Sequence, residues 1–253
     1  MKNSKLIISL LGIFAVLSSG LVYAQIKTEF DQANAFYREG KYAEAALLYQ
    51  GVADQGVQDA AIFYNLGNAY FKVKKVGPAI LAYSKALNLN PRNQDIQKNL
   101  AFIQSALPYR IPDKRNLLHI SFDKVAQYVS YQEVLFLFLV SSILMAIIFC
   151  SQLLISKRIS WNFILQWIFL FWVTSLFFIS AKEMERRFLR PAIVLEKQVE
   201  VRYGPSDFDP VAIKLGEGLK VYVMDKREEW SRIWLINTES GWVRNSQIGE
   251  VMS

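Results

Sequence analysis

Asn34 and Arg38 stand four residues apart, and Asn68 and Lys72 repeat the pairing further along the chain, with Asn65 just ahead of Asn68. On a helix, residues i and i+4 share a face, so each pair sets an amide beside a cation. Such amides grip an extended peptide backbone, and Arg or Lys meets a carboxylate. The row reads either as a peptide-binding face or as a solvated helix face, and residue types alone leave both open. A second set, Tyr203, Trp230 and Trp242, lies near the C-terminal end. Exposed aromatics of this kind anchor ligands; packing is the alternative for all three and the default for Trp242. Catalytic chemistry finds no comparable set. A single histidine, His119, and a single cysteine, Cys150, exclude most zinc sites and Cys/His nucleophile pairs. There is no phosphate-cradling glycine loop, dinucleotide fingerprint or calcium-loop carboxylate spacing. Glu228 and Glu229 fall in a polar turn, where solvated charge accounts for them. The expectation is a binding protein that is not an enzyme and carries no metal or cofactor.

The first set needs helices to position it, and the sequence between Gln25 and Leu107 supplies them by repetition. The shift that carries Asn34 onto Asn68 also superposes Phe36 on Tyr70, Tyr42 on Val76, Ala45 on Ala79 and Tyr49 on Tyr83. The second copy is clearer: Phe63, Leu66, Gly67 and Tyr70, then Ala79, Tyr83, Ala86 and a closing Pro91. Gly67 and Ala79 let two helices approach closely, Tyr70 and Tyr83 fill the space between them, and Pro91 ends the second helix. In the first copy Ala33 replaces the glycine. This pattern resembles the tetratricopeptide (TPR) family, whose repeat is a helical hairpin of the same period. The resemblance implies two repeats, with Gln94–Ala106 as a capping helix. It also implies a short groove lined by the first helix of each repeat. The row Asn34, Arg38, Asn65, Asn68 and Lys72 then resembles part of the carboxylate clamp that some TPR domains use for peptide C-termini.

The chain has 253 residues, 53% of them hydrophobic, and the apolar excess is concentrated in three stretches. Met1–Ala24 has Lys2 and Lys5, the apolar run Leu6–Leu17 and a small-residue exit at Val22-Tyr23-Ala24. That is the build of a secretory signal peptide, cleaved before Gln25 or kept as an anchor; no cysteine near the exit suits a lipoprotein. Val134–Ile155 and Phe163–Ala181 contain no Asp, Glu, Lys, Arg or His. As helices they would reach about 33 and 28 Å, against a hydrocarbon core of about 30 Å. Two transmembrane helices are therefore expected. Lys157 and Arg158 lie in their short connection, which places it in the cytoplasm by the preference of positive charge for that side. Both soluble parts would then face the periplasmic side of the inner (cytoplasmic) membrane. Lys182, Arg186 and Arg187 oppose this orientation, diluted by Glu183 and Glu185. The spans hold no ionisable group that would mark an ion path. Residues 108–133 read as a linker, broken by Pro108 and Pro112, with Phe122–Tyr128 a short amphipathic turn.

Residues 192–251 change to β character. Val199–Arg202 alternates into the turn Tyr203-Gly204-Pro205-Ser206, and Leu215–Gly218 precedes a strand over Leu219–Met224. Asp225–Glu229 is polar, Trp230–Ile236 is a strand, and Gly241-Trp242-Val243 opens a last one. The order resembles a bacterial SH3-like barrel. Its core is expected to hold Val199, Val201, Leu215, Val221, Val223, Ile233 and Val243.

The fold class is thus a multidomain membrane protein: all-α TPR hairpins, two transmembrane helices and an all-β SH3-like barrel. This order of parts resembles the Bat family of aerotolerance-operon proteins. The resemblance implies protein partners, namely membrane-bound von Willebrand-type Bat proteins and a MoxR-type ATPase, and a role in stress or oxygen tolerance. It carries no catalytic residue. A wall-binding role for the barrel, with peptidoglycan as ligand, is the alternative. The net charge of +7 is spread along the chain and partly flanks the apolar runs, so nucleic acid is not expected as a partner. Attraction to anionic lipid or acidic wall polymers is the milder reading of that charge.

Overall fold

A computed structural model describes residues 24–108, 131–154, 162–188, 190–235 and 239–251. The signal-peptide pattern, most of the linker with His119, and the connection holding Lys157 and Arg158 lie outside those residues. The chain divides into two compact units, one built on residues up to 108 and the other on most of the remainder.

In the first unit, helix α1 covers residues 24–38, followed by α2 (Tyr42–Asp54), α3 (Ala60–Lys72), α4 (Val76–Leu89) and α5 (Gln94–Ser105). The starts of α3 and α5 are one repeat apart, as are those of α2 and α4. The caps follow the same period. Asp59 accepts from the Ala61 N–H, and Asn93 accepts from the Asp95 and Ile96 N–H groups, satisfying helix-start donors that otherwise lack partners. Helices α2 and α4 have no side-chain cap; they follow tight turns instead. In the first turn Gly40 has φ +78°, and its counterpart in the second repeat is Lys74 at φ +62°. The turn bonds match: Lys41 N–H donates to Phe36 C=O and Lys75 N–H to Tyr70 C=O.

Small residues set how closely the hairpins pack. Ala33, Ala45, Ala46, Ala69, Ala82 and Ala86 share one core with Tyr49, Phe63, Leu66 and Ile96. A Cβ on Gly67 would lie 2.7 Å from the Tyr83 ring, so α3 and α4 meet at that glycine as its place in the repeat implies. α5 occupies the position of the first helix of a third repeat and covers the second hairpin with Ile96, Leu100 and Ile103.

The second unit opens with two apolar helices, α6 (Tyr131–Leu154) and α7 (Asn162–Phe188). Trp172 Nε1 on α7 donates to Ser142 Oγ on α6 at 2.9 Å, and the Trp172 ring stacks on Phe138 at 5.2 Å. Among the described residues one helical stretch, Glu133–Ser151, is long and apolar enough to cross a membrane; the apolar stretch of α7, Gln166–Ser180, is shorter. Helix α7 runs past the expected end at Ala181 to Phe188, so Lys182–Arg187 continue the same helix.

Seven antiparallel strands follow: β1 (Arg190–Val194), β2 (Gln198–Arg202), β3 (Val211–Gly216), β4 (Lys220–Lys226), β5 (Trp230–Trp234), β6 (Ser240–Arg244) and β7 (Ile248–Glu250). They form one sheet in the order β3-β2-β6-β5-β4-β1-β7. Every strand contributes to a single core that includes Val194, Val199, Leu215, Val221, Ile233, Val243 and Ile248. A single sheet whose strands all face one core must curl around it. All seven residues expected in that core are in it. Where β6 meets β2, a Cβ on Gly241 would collide with Val201 Cγ1 and lie 2.8 Å from the Arg202 carbonyl. Only glycine leaves room for that crossing.

Candidate functional site

The three first-of-hairpin helices, α1, α3 and α5, are joined side by side through amides. Asn34 Oδ1 accepts from Tyr49 Oη at 2.6 Å and from Asn65 Nδ2 at 3.2 Å. Asn68 Oδ1 accepts from Tyr83 Oη at 2.7 Å and from Asn99 Nδ2 at 3.1 Å. Each member of the second triad lies one repeat after its counterpart. The structure therefore brings Asn34, Asn65 and Asn68 together on one face, and it assigns them an internal role that residue types did not reveal. An asparagine carbonyl takes a tyrosine hydroxyl from its own hairpin and an amide N–H from the next.

The tyrosines belong to that lattice. Burial pushes the Tyr49 hydroxyl up to about 12, against a hydrogen bond to Asn65 that pulls the other way. Burial also raises Tyr83, opposed by its hydrogen bond with Asn99. Both stay protonated, and so remain donors, throughout the physiological range.

Arg38 and Lys72 are exposed at the C-terminal ends of α1 and α3, where a cation also complements the helix dipole. The Lys72 ammonium lies 5.8 Å from the centre of the Tyr42 ring, at the junction of the two repeats. A second cation–ring contact repeats with the period: Lys41 lies over Phe36 at 5.5 Å and Lys75 over Tyr70 at 6.0 Å. Sequence reasoning passed over Tyr49, Tyr83 and Asn99 as site residues, although a shift of one repeat pairs Tyr49 with Tyr83 and Asn65 with Asn99.

On the sheet, Trp230 and Trp242 share the face opposite the core, on neighbouring strands. They are only 9% and 8% exposed. The Arg244 guanidinium covers Trp230 at 5.0 Å and that of Arg227 covers Trp242 at 4.5 Å. Arg244 is itself held by Asp207 and Glu229. Tyr203 stands apart from this arrangement, 71% exposed on the β2–β3 turn.

Residues 60–93 match the tetratricopeptide repeat family. The match covers α3, α4 and the turn into α5, which is the copy with the glycine at position 67. The first hairpin and α5 extend the same geometry on either side. Tetratricopeptide repeats are protein-interaction modules. No curated protein matches the chain.

Proposed function

We propose that the chain is a non-enzymatic scaffold, anchored in the membrane by its apolar helices, whose tetratricopeptide-like region docks partner proteins outside the cytoplasm. The observation that carries this reading is how the asparagine oxygens are used. With Oδ1 of Asn34 and Asn68 committed to tyrosine hydroxyls, the amide nitrogen of each is the group left to donate to a ligand carbonyl or carboxylate. Arg38 and Lys72 follow one helical turn later with the matching charge. A fixed amide and a cation, repeated once, suit an extended acidic segment or a chain terminus.

The finer reading rests on the order of parts, which resembles BatE-like proteins of the aerotolerance operon. On it, the partners are von Willebrand-type Bat proteins and a MoxR-type ATPase, in a stress or oxygen-tolerance complex at the inner membrane. The signal-peptide pattern and the basic connection at Lys157 and Arg158 support a periplasmic position for both soluble parts.

The interior role of Asn68 decides the choice of test. Asn68→Ala would strip the Tyr83 hydroxyl of its acceptor, and a buried unsatisfied group costs about 1–3 kcal/mol. Asn68→Asp keeps an oxygen for Tyr83 and Asn99 while deleting the outward donor. Combined with Lys72→Glu, it should abolish recovery of cross-linked partners from native membranes at unchanged expression. Equal recovery from the double variant would sink the docking reading.

A wall-binding sensor or anchor, acting through the sheet as an SH3-like barrel with peptidoglycan as ligand, remains the alternative. The arginine covers over Trp230 and Trp242 leave Tyr203 as the exposed one of those three aromatics. On that reading Tyr203→Ala lowers co-sedimentation of the solubilised chain with purified wall sacculi. An unaltered chain that stays in the supernatant would exclude it.

A further inference from the structure

We propose that the chain pairs with a second copy of itself through the outer faces of α2 and α4, the acidic first repeat of each copy lying on the basic second repeat of the other. This pairing is separate from the proposed docking and makes no use of the amide row.

Charge divides between the repeats. Residues 26–59 contain six Asp or Glu against three Lys or Arg, a net charge of −3, whereas residues 60–93 contain five Lys or Arg and no acid, a net charge of +5. Repeats of one fold have no structural need for opposite signs. Nor does the difference cancel within one copy: Lys72, Lys74 and Lys75 enter no ion pair among the described residues. Lys41, the cation at the start of α2, pairs with Glu39 at 2.8 Å inside the first repeat.

The acidic face is that of α2. Glu44, Leu47, Gly51 and Asp54 follow one another at spacings of three and four residues, which sets them on one side of the helix. All four are exposed, Leu47 by 74%. A Cβ on Gly51 would meet nothing within 4 Å, so the space beside Leu47 is open. Such a face suits a neighbour that is apolar in the middle and cationic on either side.

The second repeat carries that neighbour. A shift of one repeat takes Leu47 to Leu81 and turns the two acids into neutral residues, Pro78 and Asn88, while Gly40 and Gly51 become Lys74 and Lys85. Lys74 is held at φ +62°, where its counterpart is glycine, so the cation sits at a position that disfavours any side chain. Leu81 is half-buried, and the Lys85 ammonium lies 5.6 Å from the centre of the Phe63 ring. A two-fold axis along the helices sets α2 of one copy beside α4 of the other in the same direction. Leu47 then meets Leu81. Lys74 and Lys85 enter over Gly40 and Gly51, each within about 6 Å of Glu44 or Asp54 along the helix at 1.5 Å per residue. The contact forms twice, as closed symmetry requires. Pairing first repeat with first, or second with second, would set like charges against each other.

The test co-expresses two differently tagged versions of the whole chain, each with Cys150→Ser, and oxidises the native membranes. Leu47→Cys in one version and Leu81→Cys in the other should give a disulfide-linked heterodimer. Either substitution placed in both versions should give little, because like positions then lie beyond the Cα separation of about 7 Å that a disulfide can bridge. Glu44→Lys with Asp54→Lys in the Leu47→Cys version should suppress the link, and Lys74→Glu with Lys85→Glu in the other version should restore it. Restoration in the combined pair shows that the suppression is not misfolding. Raising the salt from about 0.1 to about 1 M, which shortens the screening length from about 10 to about 3 Å, should weaken the link as well. A mixed pair that links no better than the matched pairs overturns the proposal, and so does a link indifferent to both charge reversals. Either result leaves the docking reading untouched, since none of these positions belongs to the amide row.

Discussion

At the scale of single residues, the two repeats act as internal controls for each other. Gly40 and Lys74 close equivalent turns, at φ +78° and +62°. A glycine adopts that conformation freely, whereas an L side chain in it costs roughly 1–2 kcal/mol. Lys74→Gly should therefore stabilise the second hairpin, by about 1 kcal/mol once the added freedom of the unfolded chain is subtracted. Native-state hydrogen exchange would show this as roughly fivefold slower opening of α3 and α4, since about 1.4 kcal/mol corresponds to a factor of ten. Faster exchange in the variant would mean that the lysine side chain contributes more than its backbone strain costs. Gly67 gives the opposite case. An added Cβ would sit 2.7 Å from the Tyr83 ring, so Gly67→Ala should destabilise by about 1–3 kcal/mol, the range for overpacking. Ala33 fills the equivalent position of the first repeat while fully buried. The expected cost therefore reflects the particular fit of Tyr83 rather than any rule of the repeat.

At the scale of elements, the amide–tyrosine lattice ties helix to helix and makes their association sensitive to alkali. The hydroxyls of Tyr49 and Tyr83 are both raised above their ordinary value by burial. An unfolded tyrosine ionises near pH 10. The stability these groups contribute is complete below that pH and is lost as pH rises through the folded-state values, because the unfolded chain then releases protons that the folded chain retains. The helical region should lose stability above about pH 10, and Tyr83→Phe should flatten that decline while costing about 1 kcal/mol at neutral pH for the lost hydrogen bonds. Denaturant titrations at pH 8 and pH 11 measure both effects; parallel pH profiles for the variant and the unaltered chain would show that Tyr83 is not responsible. The helices themselves were legible because a shift of one repeat aligns glycine, alanine and tyrosine at packing positions. The lattice was not, since one sequence does not say which partner claims an asparagine oxygen. In the sheet, alternation marks β2, and polar turns and tryptophans mark β4, β5 and β6; β3 is missed as a strand, although its Leu215 is an expected core residue. β1 escaped notice because residues 191–194 are buried on both faces and so do not alternate, and because Pro191 reads as a breaker. The proline is tolerated because it stands near the start of the strand, where the register with β7 runs out: its carbonyl still accepts from the Val251 N–H, and one bond at the end of the sheet is all that its missing N–H removes. Three-residue β7 is too short to show a period. The covering of Trp230 and Trp242 was hidden for a related reason: Arg244 lies across the strand pair from Trp230, and cross-strand neighbours are set by register.

At the scale of the whole molecule, the place of the proposed docking depends on whether the apolar helices enter a membrane. Large apolar side chains stand exposed on α6 and α7, among them Phe136, Ile143, Phe149, Phe169 and Phe177, an arrangement that water does not favour and that marks a buried or lipid-facing surface. Trp172 and Ser142 meanwhile satisfy each other between the helices, as a hairpin in lipid requires of its polar groups. Helix α6 has the length to span. The described apolar stretch of α7, Gln166–Ser180, reaches only about 22 Å at 1.5 Å per residue, against about 30 Å of hydrocarbon. The orientation of the sheet domain consequently turns on α7. If α7 crosses by local thinning of the bilayer, or with flanking residues reaching to the interface, both soluble parts share one side. If it does not, they are separated. Alkaline phosphatase fused after Ser253 and at Lys157 distinguishes the two, because the enzyme is active only outside the cytoplasm. The two-span reading expects activity at Ser253 and none at Lys157. An inactive Ser253 fusion, with one placed after Leu107 still active, would leave the helical region exported and move the sheet to the cytoplasm. Any ligand of Tyr203 would then have to be cytoplasmic, and peptidoglycan would be excluded as its partner.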